Sequence, residues 1–186
     1  FTKGYAALGS VILAQTIGMT ANRISAGTTF IGNQFVCFVA VYLSKPATIT
    51  GVKWYQAVAG DYTANNYNGV GLYTYSGGTL TLVASSTDDG NIWKATAATY
   101  PSKAFSATYA AVAGIYFIGM LYCRSAAVTA PTVGVTTALH NLAGQSVDFT
   151  NSASLSAFIG SQTALPASQA MSGLTRSANT CWTALY

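Results

Sequence analysis

Two runs constrain this chain more than any other feature: Phe35–Leu43 (FVCFVAVYL) and Ile115–Tyr122 (IYFIGMLY) are apolar on both of their alternating faces. Both are under ten residues long, where a membrane-spanning helix needs about 20. Lys45-Pro46 ends the first and Ala113-Gly114 precedes the second, so neither extends into a long helix. Successive side chains of a strand point to opposite faces, so a strand apolar on both must be covered on both. The two runs are therefore read as central strands of an all-β sandwich, lying near one another.

The stretch Tyr67–Lys94, YNGVGLYTYSGGTLTLVASSTDDGNIWK, supplies a hairpin. Val70, Leu72 and Thr74 alternate with Gly71, Tyr73 and Tyr75, and Leu80 and Leu82 alternate with Thr79, Thr81 and Val83. Between them, Gly77-Gly78 can take the positive φ angles of a tight hairpin turn.

Ile49–Val58 reads as a further strand, and Phe105–Tyr109 as a weaker one. Ile92-Trp93 starts a short strand or a helical turn, and Ser154–Ser161 fits a strand or a short helix. Val133–Thr137 suits an edge strand within a loop-rich stretch, Thr129–Thr150. Cys181–Tyr186 suits a final docked strand. Seven to nine short strands separated by turns indicate a jelly-roll-like β-sandwich over residues 33–186. The irregular residues 1–32 read as an N-terminal arm or linker, and Gly9–Ala14 is too short and poorly flanked to be an export signal.

Only 6% of the 186 residues are charged, against about 25% in ordinary soluble domains. The four acids are Asp61, Asp88, Asp89 and Asp148, with no glutamate. Scarce Glu and Lys argue against helices and for a Thr/Ser/Asn/Gly-rich β surface. A domain 51% hydrophobic with so few charges is expected to hide surface in a permanent subunit contact, most plausibly a homotrimer. The eight basic residues are scattered, which excludes the basic stripe that nucleic acid requires. Cys37, Cys123 and Cys181 lack zinc-site spacing, and the odd count argues against a disulfide framework and for assembly in a reducing cytoplasm. Cys37 and Cys123 read as small buried hydrophobes.

Catalytic chemistry is sparse. The single histidine, His140, with Asp148 and a serine could form a triad only on paper, since no G-x-S-x-G elbow supports it. Asp88-Asp89-Gly90-Asn91 lacks calcium-loop spacing and reads as a turn bonding its own backbone. No enzyme, cofactor or metal is expected.

The positive signal is aromatic and amide-rich. Asp61, Tyr62, Asn65, Asn66, Tyr67 and Asn68 lie in a loop read over Ala59–Gly69, ahead of Tyr73 and Tyr75. Rings that stack on sugar C–H faces beside amides that bond hydroxyls would make these eight a glycan- or partner-binding surface. Core and interface packing of the rings is the competing reading.

The stretch Ile49–Lys94, with its ordered glycines and tyrosines, resembles domains of bacteriophage virion fibre proteins, including tail-fibre, head-fibre and capsid-decoration proteins; the likeness extends less sharply over Lys103–Tyr122. The resemblance implies a structural domain, commonly trimeric, on the particle surface. Its partners would be other virion proteins and host-surface glycans, with no nucleic acid and no membrane insertion. It carries no catalytic residues. A carbohydrate-binding module of a bacterial or phage surface protein is the alternative.

Overall fold

The computed structural model describes residues 11–16, 32–136, 156–177 and 180–186. In chain order its strands are β1 (Ala14–Gln15), β2 (Phe35–Leu43), β3 (Ala47–Trp54), β4 (Gln56–Val58), β5 (Asp61–Ala64), β6 (Gly69–Ser76), β7 (Thr79–Ser85), β8 (Ser102–Ala111) and β9 (Gly114–Tyr122). There follow β10 (Arg124–Thr129), β11 (Thr132–Val133), β12 (Val135–Thr136), β13 (Ser156–Ile159), β14 (Ser168–Ala170), β15 (Thr175–Arg176), β16 (Thr180–Cys181) and β17 (Thr183–Leu185). Among the described residues the helical pieces are two 3₁₀ turns, Ile92–Lys94 and Met171–Gly173. The fold is an all-β sandwich.

A seven-stranded sheet runs β14-β7-β6-β9-β2-β13-β15, and a four-stranded sheet runs β1-β17-β3-β8. Short ribbons β10–β5, β11–β4 and β12–β16 complete the structure. The segment joining β11 to β12 is laced between its neighbours: Gly134 N–H donates to Tyr55 O at 2.8 Å, and Trp182 N–H donates to Gly134 O at 2.9 Å.

The two doubly apolar runs pair with each other, antiparallel and in continuous register from Phe35↔Tyr122 to Leu43↔Gly114. Their alternation explains their composition. Cys37, Val39, Val41 and Leu43 of β2, with Tyr116, Ile118, Met120 and Tyr122 of β9, face the inter-sheet core. There they meet Ile49, Val52 and Trp54 of β3, Phe105 of β8 and Leu185 of β17. The intervening Val36, Phe38, Ala40, Phe117 and Leu121 form a second cluster on the outer face, with Tyr73 and Leu80.

The chain itself covers that outer face. Residues 159–174 cross it as a strap, placing Leu165, Met171 and Leu174 on the cluster. Leu82 N–H donates to Ala167 O (3.0 Å), Met171 N–H to Gly78 O (2.8 Å), Tyr67 N–H to Thr163 O (3.1 Å) and Tyr73 Oη to Pro166 O (3.0 Å). Each large side chain so enclosed contributes about 1.5–3 kcal/mol from its burial.

The hairpin forms as read, with Gly77 and Gly78 at φ +55° and +79°. The Ile49–Val58 run divides into β3 and β4, Ile92–Trp93 begins a 3₁₀ turn, and Ser154–Ser161 contains β13. The Ala59–Gly69 loop is corrected: Asp61–Ala64 is β5, paired with β10 across a bulged register. The N-terminal arm is corrected in part. Leu13 N–H donates to Leu185 O and Thr16 N–H to Thr183 O, both at 2.9 Å, and Thr16 also bridges Val41 of the opposite sheet. Residues 13–16 therefore belong to the sandwich, which the boundary at residue 32 left out. The rest of the arm and Thr137 lie outside the described residues, apart from Val11, Ile12 and Gly32.

Gly119 is a tight point of the outer cluster. Phe38 and Tyr73 meet edge to face beside it, with centroids 5.1 Å apart at 83°. A Cβ on Gly119 would lie 2.7 Å from Tyr73 Cε2 and 3.4 Å from Phe38 Cε1. Gly119→Ala should therefore cost about 1–3 kcal/mol in equilibrium urea unfolding; Gly77 has nothing within 4 Å of a built Cβ, and Gly77→Ala should be penalised only by its positive φ.

Candidate functional site

The eight candidate residues surround the start of β6, but the fold turns three of them fully inward and leaves three more half-buried. Asn68 is fully buried because its carboxamide clamps another strand's end. Asn68 Nδ2 donates to Cys123 O and Cys123 N–H donates to Asn68 Oδ1, each at 2.9 Å. The two bonds satisfy the backbone of the residue between β9 and β10, as a neighbouring strand would. Asn68 N–H in turn donates to Asp88 Oδ1 at 2.8 Å.

The tyrosines are similarly occupied. Tyr67 Oη donates to Ser86 O at 2.7 Å, and Tyr73 is fully buried with its hydroxyl on the strap. Tyr62 is buried and packs edge to face on Tyr122, with centroids 4.9 Å apart at 87°. Burial pushes the phenols of Tyr62, Tyr67 and Tyr73 above the ordinary tyrosine range, so they stay neutral, Tyr67 and Tyr73 as donors. Lys94 Nζ stands 4.9 Å from the Tyr62 ring centroid, a cation–π contact of about 0.5–1 kcal/mol at such an exposed position. Tyr75 is half-buried and touches Phe117 in the outer cluster, with centroids 6.2 Å apart.

A sugar surface built on all eight residues is therefore corrected. Tyr62, Asn68 and Tyr73 are structural, and Asp61 and Asn66 alone are well exposed, with Asn65, Tyr67 and Tyr75 half-buried. Asn66 takes φ +51°, a left-handed conformation that asparagine tolerates. Alternation along β5 explains the split: Asp61 and Thr63 face outward while Tyr62 faces in, which a loop reading did not foresee.

Of the adjacent carboxylates, Asp89 serves the turn, as expected. Asp89 Oδ1 accepts from Asn91 N–H at 2.9 Å, and its Oδ2 receives Lys103 Nζ at 2.7 Å. Asp88 points to Asn68 instead. The hydrogen bond from Lys103 holds the Asp89 carboxyl below the usual carboxylate range. Among the described residues no three His, Cys, Asp or Glu side chains gather as a metal site, and no helix is long and apolar enough to cross a membrane. His140 and Asp148 lie outside the described residues.

Two surface features escaped the sequence reading. Tyr42 is 56% exposed although it sits inside the apolar β2 run. The β8 strand, whose alanines weakened its signal, is an edge of the four-stranded sheet with Ser106, Ala107, Thr108 and Ala110 exposed. Lys103 is the sole charged residue on β8, and Asp89 engages it.

Searches of protein-family models, curated proteins and solved structures returned no match to this chain.

Asn68→Ala would strip two buried backbone groups of their partner, and urea unfolding should show a loss of about 2–4 kcal/mol; Asn66→Ala should change stability by less than about 0.5 kcal/mol. The Asp89 pair gives a pH signature. Because the folded carboxyl titrates below its unfolded value, its contribution is present above about pH 4 and is lost as pH falls through the folded value. With the two side chains 24% and 33% exposed, the effect should stay under about 1 kcal/mol, and Lys103→Met should remove it from a pH series of melting temperatures.

Proposed function

We propose that this chain is a structural, non-enzymatic module of a bacteriophage virion surface, a fibre or decoration domain with a jelly-roll-like sandwich that assembles as a homotrimer. The observation that carries the reading is the open edge of β8. It is a ten-residue strand with small, uncharged outward side chains, its one charge is engaged by Asp89, and a bulge between Ala104 and Tyr109 divides it. Monomeric proteins blunt edges with free charges, prolines, bulges or short strands, because an unpaired ladder recruits another chain; here the bulge is the one such device, and the stretches on either side of it are left open. A second copy is the occupant that fits an uncharged surface best. The likeness of residues 49–94 to virion fibre domains points the same way.

On this reading the protein belongs on the particle after assembly in the host cytoplasm, with other virion proteins as partners and no nucleic acid or membrane insertion. Light scattering coupled to size exclusion should give three times the 19.2 kDa chain mass, and a monomer throughout the micromolar range would overturn the trimer. Ala107→Lys, which charges the β8 edge, should shift the population toward monomer.

A carbohydrate-binding role is the second reading, and the exposure of Asp61, Asn66 and Tyr42 is what favours it. Host polysaccharide binding that survives both Asn66→Ala and Tyr42→Ala would locate the contact elsewhere.

A further inference from the structure

Asn68 is followed by Gly69, the only Asn-Gly pair in the chain. Asparagine before glycine is open to self-modification, because the glycine nitrogen, unshielded by a side chain, can reach the asparagine carboxamide carbon. The fold requires both residues. Asn68, fully buried, clamps Cys123 through two bonds of 2.9 Å and also donates to Asn65 O at 3.3 Å. Gly69 opens β6 opposite Leu121, and a Cβ there would lie 2.5 Å from Ser86 Oγ and 2.6 Å from Tyr67 Oη. Neither atom can retreat freely: Tyr67 Oη donates to Ser86 O at 2.7 Å, and Ser86 Oγ accepts from Val70 N–H at 3.2 Å. A reactive dipeptide is thus built into the packing.

We propose that Asn68-Gly69 is a deamidation site, silent while the clamp is closed, whose reaction in the opened chain makes unfolding irreversible. The Gly69 nitrogen gives its proton to solvent and bonds to Asn68 Cγ; the bond from Cγ to the side-chain nitrogen breaks, and that nitrogen leaves as ammonia after taking up a proton. Water then opens the resulting succinimide at either carbonyl, leaving aspartate or isoaspartate at position 68. In sum, one amide and one water become one carboxylic acid and one ammonia, with no oxidant, reductant or cofactor.

Ring closure needs the carboxamide free to rotate onto the Gly69 nitrogen, whereas both of its polar atoms are held by the Cys123 backbone. On the other side, Asn68 N–H donates to Asp88 Oδ1 at 2.8 Å, which fixes the main chain as well. The products cannot rebuild the clamp. Aspartate has no N–H to offer, so a buried carboxylate oxygen would face Cys123 O, an unpaired contact that costs far more than the lost bond. Isoaspartate adds a methylene to the main chain at the entry to β6, against its register with β9. Opening of this region therefore carries a time limit, beyond which the chain no longer refolds.

The test incubates the wild-type chain, folded and in urea, at mildly alkaline pH with a reductant, and follows intact mass and a peptide map over time. In urea the mass should rise by the exchange of an amide NH₂ for OH, mapping to Asn68 as a mixture of aspartate and isoaspartate. The folded chain should react at least about a hundredfold more slowly, since only its open fraction can cyclise. On dilution from urea, the fraction that fails to refold should match the fraction modified at Asn68, and Asn68→Asp prepared directly should show the same defect. Equal rates in the folded and unfolded chains, a mass gain mapping to another asparagine, or modified chains that refold fully would overturn the proposal. So would failure to refold that tracks isoaspartate at Asp89-Gly90, a pair that can form the same ring without a change of mass.

Discussion

The structure depends on one constraint: the seven-stranded sheet is apolar on both faces, so the chain must supply two covers for it. The four-stranded sheet is one and the strap of residues 159–174 is the other. Each cover brings its own polar requirements. The strap has little regular structure, and its backbone is satisfied by the edge of β7, by Gly78 and by the hydroxyl of Tyr73. The second sheet is interrupted between β3 and β4, where the Gln56 side chain receives Trp54 Nε1–H at 2.9 Å and donates to Val58 O at 2.6 Å. Buried polar groups are tolerated in both places because they are paired.

The same need explains how this protein uses tyrosine. With few charges available, phenols provide apolar area and a single donor that can end on a backbone carbonyl. Tyr67 ends on Ser86 O, Tyr73 on Pro166 O and Tyr116 on Val112 O. An aromatic-rich sequence of this kind imitates a sugar-binding surface in composition while spending its hydroxyls on loop closure.

The sandwich was legible because its strongest signals are local. β2, β9 and the β6–β7 hairpin announce themselves by alternation and by Gly77-Gly78. The C-terminal strand was legible from its alternating large residues. What escaped was long-range. Nothing near Asn68 in sequence reveals that its carboxamide will clasp Cys123, and β5 is only four residues long in a stretch rich in turn formers. The strap went unread for a related reason: a sequence states that a face must be covered but not by what. For the candidate site, residue types were read correctly, but orientation follows from β5–β10 pairing, which alternation in β5 alone is too short to declare.

The strap has a temporal consequence. The sheet it covers is begun by β2, and β3 and β8 of the facing sheet follow early, but the strap that closes the outer face lies beyond residue 155. A chain growing from its N-terminus therefore carries the outer face of its most apolar strands uncovered until the strap is made. Long-range pairing of this kind is slow, and its intermediates are prone to association. Docking of the strap, rather than formation of the first hairpin, is the event that closes the outer face.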